Sequence, residues 1–138
     1  MRLVVTTPLA TIVEAQDAVH VRAEEPSGAF GILPGHASFL TVLEISLLTW
    51  RDTAGREHHV AVRGGVLRVS AGAVVVATPE AVAGDDLRQL ESEVLTRFRQ
   101  QREGERAAHT ESQRLHLAAI RQIMRLLRPE TRHAAPPG

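Results

Sequence analysis

The spacing of apolar residues changes period once along this chain, and that change limits the folds open to it. As far as Pro79 the apolar residues come in short β-branched runs separated by turn residues. From Asp85 onward they recur every three or four positions, the spacing of amphipathic helices. Residues 3–6, 11–13, 19–23, 46–51, 59–63, 66–70 and 74–77 read as strands. Many short strands at close intervals predict an antiparallel sandwich or barrel. Between residues 30 and 36, Pro34-Gly35 predicts a type II turn: proline pre-sets φ at its second position and glycine takes the positive φ of its third. Ala71-Gly72 predicts a tight hairpin, and Gly64-Gly65 a bulge or hairpin.

The helical half divides in two. Asp85 or Asp86 opens the first helix, where acids complement the positive end. Leu87, Leu90, Val94, Leu95 and Phe98 form its apolar stripe, and residues 99–106 contain nothing apolar. Thr110-Glu111-Ser112-Gln113 has capping-box spacing and predicts the start of a second helix over 110–132. The short link Ala107-Ala108-His109 then implies an antiparallel helical hairpin. At 100° per residue, Arg114, Arg121, Arg125, Arg128 and Arg132 fall within about 60° of one another. No acid lies between Arg114 and Arg128 to relieve their repulsion. Such a pure stripe suits an acidic partner or phosphates better than a merely solvated face.

Residue chemistry argues against an autonomous enzyme. There is no cysteine, which excludes disulfides and thiolate metal sites. The seven histidines have no ligand spacing, and adjacent His58 and His59 point to opposite faces of a strand. No nucleophile elbow, P-loop or dinucleotide fingerprint occurs. Neither a cofactor nor a metal is expected. Acids and bases balance at 16 each, so bulk attraction to nucleic acid is not implied, and one Trp with three Phe leaves little for base stacking. There is no lysine; every side-chain cation is a planar arginine fork suited to carboxylates and phosphates. Arg2 and the early Thr6-Thr7-Pro8 do not make a signal peptide, and no apolar run reaches the length of a membrane span.

Three blocks carry a resemblance. They are Phe30-Gly31-Ile32-Leu33-Pro34-Gly35-His36-Ala37, Val62-Arg63-Gly64-Gly65-Val66-Leu67 and Ala83-Gly84-Asp85-Asp86-Leu87. In order and spacing the chain resembles the epsilon subunit of F-type ATP synthases from Leu3 to about Leu127, with the divergent sodium- or N-type ATPases a candidate home. The resemblance implies an α+β fold: an antiparallel β-sandwich of about ten strands over 1–84, then an α-helical hairpin over 85–138 with a disordered tail from Pro129. It implies a non-catalytic rotor subunit peripheral to the cytoplasmic face of the inner membrane. The sandwich would grip the gamma subunit and rest on the c-ring. Gly28, Ala29, Phe30, Gly31, Pro34, Gly35, His36, Gly64 and Gly65 are the contact residues it implies. Arg114, Arg121, Arg125, Arg128 and Arg132 would face an acidic segment of the catalytic beta subunits and brake ATP hydrolysis.

Two departures stand out. Ala29 occupies a place where many relatives carry an acid, which leaves Glu24 or Glu25 to supply a polar contact. Where ATP-sensing relatives open the first helix with Asp-x-x-Arg, this chain reads Leu87-Arg88-Gln89-Leu90-Glu91-Ser92, so no ATP binding by the isolated chain is expected. The competing expectation is a stand-alone sandwich adaptor that binds a polyanion through the arginine stripe.

Overall fold

The computed structural model describes residues 1–134 and the side chains of residues 1–127. It divides into two compact units, Met1–Gln100 and a second beginning at Gln101.

The first unit holds eight strands: β1 (Arg2–Thr6), β2 (Thr11–Ala15), β3 (His20–Glu25), β4 (Gly28–Ile32), β5 (Phe39–Arg51), β6 (Glu57–Ser70), β7 (Ala73–Ala77) and β8 (Ala81–Gly84). They hydrogen-bond in the order β2-β1-β7-β6-β5-β3-β4, with β8 also on β6. The count is eight rather than the roughly ten that the resemblance implied; of the seven runs read from spacing, 59–63 and 66–70 are one strand and 46–51 is the second half of another, while β4 and β8 were not among them. All pairings are antiparallel except β1 with β7.

Two long strands turn this sheet into a sandwich. β5 and β6 hold one register from Phe39↔Val69 to Arg51↔Glu57. Their partners change midway. β7 pairs with residues 66–70 of β6, whereas β8 pairs with 59–62, and β3 takes the far end of β5. The change falls at Gly64-Gly65, both at positive φ. Strands that bend at a corner in this way serve both layers. Leu3, Val5, Leu67, Val74 and Val76 of one layer meet Val21, Ile32, Leu48, Val60 and Val62 of the other, all essentially inaccessible to water. Alternate residues along each strand supply this core, as pleating requires.

A second, smaller apolar cluster lies on the outer face of β5, β6 and β8. The chain enters a helix at Asp86, whose side chain accepts a hydrogen bond from the Gln89 backbone N–H (3.2 Å). A short α1 (Leu87–Gln89) passes through a π-helical turn (Leu90–Val94) into α2 (Leu95–Ala134). Leu90, Val94, Leu95 and Phe98 are buried with Ile45 and Ala61, and Leu47 and Val82 pack on them. At ordinary α-helical spacing Leu95 would lie about 140° from Leu90. The wide turn, closed by Leu95 N–H to the Leu90 carbonyl, brings both onto the sheet. Four of the five residues in the predicted stripe are thus buried, and Leu87 is exposed.

In the second unit the expected hairpin link is absent: Ala107-Ala108-His109 is helical and α2 continues through it. None of the three resists helical φ/ψ, alanine favours it, and a capping box ends a helix only if its first residue leaves that conformation. Thr110 therefore lies inside a helix instead of starting one. The disordered tail expected from Pro129 does not begin there: the backbone of 129–134 continues α2, and only residues 135–138 lie outside those described.

Candidate partner-binding surfaces

The residues expected at a partner contact fall in two places. The first is the edge formed by β3, β4 and the loop into β5. Pro26 and Ser27 form the two-residue turn between β3 and β4, and Gly28 opens β4 at φ 134°. Ser27 Oγ donates to Glu25 (2.6 Å), and Thr41 Oγ1 of β5 donates to the other oxygen of the same carboxylate. These bonds, Ser27 first, hold the Glu25 carboxyl below the usual carboxylate range. Glu25 is therefore engaged in fastening the turn to β5. Glu24 instead lies directly across from Ala29 and is exposed.

β4 is the outermost strand of its layer, and Ala29 and Gly31 are exposed on it. Phe30 turns inward, its ring edge-on to Phe39 at 5.6 Å. The predicted type II turn is present: the His36 N–H reaches the Leu33 carbonyl (3.1 Å) and Gly35 has φ 84°. His36 is exposed, donates from Nδ1 to the Ala37 carbonyl (2.6 Å) and lies 5.2 Å from the Phe39 ring. Phe39 thus joins Phe30 to His36, a link that sequence spacing did not suggest.

The second place is the bend in β6. Gly64 and Gly65 are half-buried there and face backbone: a Cβ on Gly64 would lie 3.3 Å from the Leu43 carbonyl oxygen. Their observed task is to let the sheet turn its corner.

A third surface was not read from the sequence. On the outer face of the other layer, Val42 pairs across with Val66, and Leu40 with Arg68. Leu40 is 67% exposed, Val42 61% and Val66 41%. An apolar stripe of this kind on a folded domain is a candidate protein contact. The signal was available in the alternation from 39 to 43, where both faces are apolar.

The arginine stripe is in the second unit. Arg114, Arg121 and Arg125 are exposed on α2, while Arg128 and Arg132 lie outside the described side chains. Among the described residues no group of three metal-ligating side chains comes together, and no helix is long and apolar enough to cross a membrane.

Comparison with known proteins agrees with this architecture. Residues 1–84 match the family described as ATP synthase, Delta/Epsilon chain, beta-sandwich domain. The chain is 46% identical over 130 residues to ATP synthase epsilon chain 2 of Paraburkholderia xenovorans, covering 94% of each chain. It is 45% identical over 128 residues to ATP synthase epsilon chain 2 of Cereibacter sphaeroides, covering 92% of this chain and 88% of that one. It shares its fold with a chain in the cryo-EM structure of the Euglena gracilis mitochondrial ATP synthase OSCP/F1/c-ring. The TM-score there is 0.57 at 24% identity, over 64% of this chain and 57% of that one.

These matches define a non-catalytic subunit class built on a β-sandwich with a C-terminal helix. The chain belongs to the ATP synthase epsilon family.

Proposed function

We propose that this chain is a central-stalk subunit of a rotary ATP synthase, joining the gamma subunit to the c-ring without bond-making chemistry of its own. The carrying observation is a sandwich that keeps two distinct exposed surfaces: the apolar stripe Leu40, Val42 and Val66, and the edge from Gly28 to His36. Shape and apolar area suit a permanent protein contact, and the first surface is the one this reading gives to gamma. The second, with small exposed Ala29 and Gly31, lets another chain approach closely and is given to the c-ring. Glu24 supplies the polar contact there, since Glu25 is already bonded to Ser27 and Thr41. The near-full-length similarity to epsilon chains of ATP synthases supports membership of that complex. On this reading the protein sits at the cytoplasmic face of the inner membrane.

In the same reading the arginine-bearing helix brakes ATP hydrolysis by facing acidic segments of the catalytic beta subunits. Its support is the exposed row Arg114, Arg121 and Arg125 on a stretch with no interleaved acid. Co-purification with gamma and the c-ring tests the joint. Val42→Glu should abolish gamma capture, and Glu24→Arg should weaken ring attachment while leaving gamma capture intact. A chain that ignores gamma while retaining salt-sensitive binding to nucleic acid would favour the polyanion adaptor instead.

A further inference from the structure

The outer face of β5, β6 and β8 is apolar: Ile45, Leu47, Ala61 and Val82 lie on it. Left bare it would be an adhesive patch. One turn after another of the following helix covers it. Leu90 retains 3% of its exposure, Leu95 6%, Val94 9% and Phe98 none. Arg97 extends its guanidinium to Glu80 beside β8 (3.2 Å) and lies 5.3 Å from the ring of Phe98. The π-helical turn aligns these side chains, and such turns carry a cost that a helix retains only where packing holds it. Beyond Phe98 the pattern ends abruptly: from 99 to 127 Arg102 alone is half-buried, and every other side chain is exposed. Gly104 then sits inside the helix with open space around its missing Cβ, where glycine weakens a helix relative to alanine.

We propose that residues 87–98 are a fixed cover of the sandwich and that the movable C-terminal arm begins only at Arg99. The helical region is thus divided by function at Phe98 and not at its first residue. Any rearrangement that brings the arginines to another surface pivots between Arg99 and Gly104 and leaves the cover in place. The inference refines the braking reading by stating which residues that reading can move, yet its test uses the free, full-length chain and needs no ATPase partner.

Native-state hydrogen exchange reads it directly. The amides of 94–98 should exchange within about ten-fold of the slowest amides of β5 and β6, and those of 105–125 at least a hundred-fold faster. Fast exchange throughout 94–125 would overturn the proposal, as would slow exchange throughout. In a second measurement, Phe98→Ala should lower the denaturation midpoint reported by Trp50, the single tryptophan, whereas Ile123→Ala should leave it unchanged. An unchanged midpoint for Phe98→Ala would also overturn it. Failure of these two measurements discards the fixed cover alone; failure of arginine reversal to alter ATPase activity discards the brake alone.

Discussion

A Cβ placed on Gly65 would lie 2.2 Å from the carbonyl oxygen of Ala77. The φ of Gly65 is 116°, which side-chain-bearing residues rarely adopt, and the obstructing atom is backbone. Gly65→Ala should therefore destabilise the sandwich by about 3 kcal/mol or more, combining left-handed strain with a displaced strand. Gly64→Ala meets Leu43 at 3.3 Å and should cost about 1–2 kcal/mol. Urea denaturation followed by Trp50 fluorescence ranks the two, and an order reversed from this one would contradict the corner geometry.

The β6–β7 hairpin contains the opposite situation. Ala71 has φ 47° and Gly72 φ 77°, the two positive values of a type I′ turn, with alanine where Asn or Gly is preferred. Ala71→Asn should raise stability by about 0.5–1 kcal/mol. Ala71 is exposed, so the gain comes from backbone strain alone. A neutral or negative change in the denaturation midpoint would remove that explanation.

Acid should weaken the β5–β6 hairpin. Nε2 of His58 donates to Asp52 Oδ2 (2.8 Å), and Asp52 Oδ1 accepts the backbone N–H groups of Arg56 (3.0 Å) and Ala54 (2.9 Å). The His58 bond first, then the Arg56 amide, holds the Asp52 carboxyl below its ordinary value. A carboxyl depressed in the folded state stabilises above its unfolded pKa and loses that contribution as pH falls through the folded one. Stability should hold at neutral pH and decline below about pH 4. Asp52→Asn should flatten that part of the profile; an identical acid limb would exclude Asp52 as its source. Glu25, also depressed, adds to the same limb with the same sign.

Charge reversal tests the arm. Arg121→Glu with Arg125→Glu alters two exposed side chains one helical turn apart, so the fold should be unaffected. In the reconstituted ATPase the double variant should raise ATP hydrolysis about five-fold or more if the stripe couples electrostatically to the head. Wild-type rates would return the stripe to a solvated face.

Much of this architecture was legible in residue spacing. Leu90, Val94, Leu95 and Phe98 were readable as one buried stripe because a covered sheet face imposes helical periodicity on whatever covers it. The Pro34-Gly35 turn was readable because its dihedrals demand those two residues. Strand lengths were not. β6 looked like two strands because Gly64-Gly65 reads as punctuation, yet pairing with β5 carries the chain through it. The helix across 107–109 was missed because capping boxes and helix interiors share residue types, and only the backbone distinguishes them. At the candidate surfaces, Gly28 and His36 could be flagged locally. The Phe30–Phe39 contact and the Glu25–Thr41 tie join residues far apart in the chain, which periodicity does not register.

β5 and β6, at 13 and 14 residues, each belong to both layers. Sliding one layer over the other would have to bend both strands and disrupt their shared pairing. In the proposed central-stalk role, torque entering one broad side of the block would be handed to the opposite side by covalent chain as well as by side-chain contacts, and the block should turn as a single rigid cog.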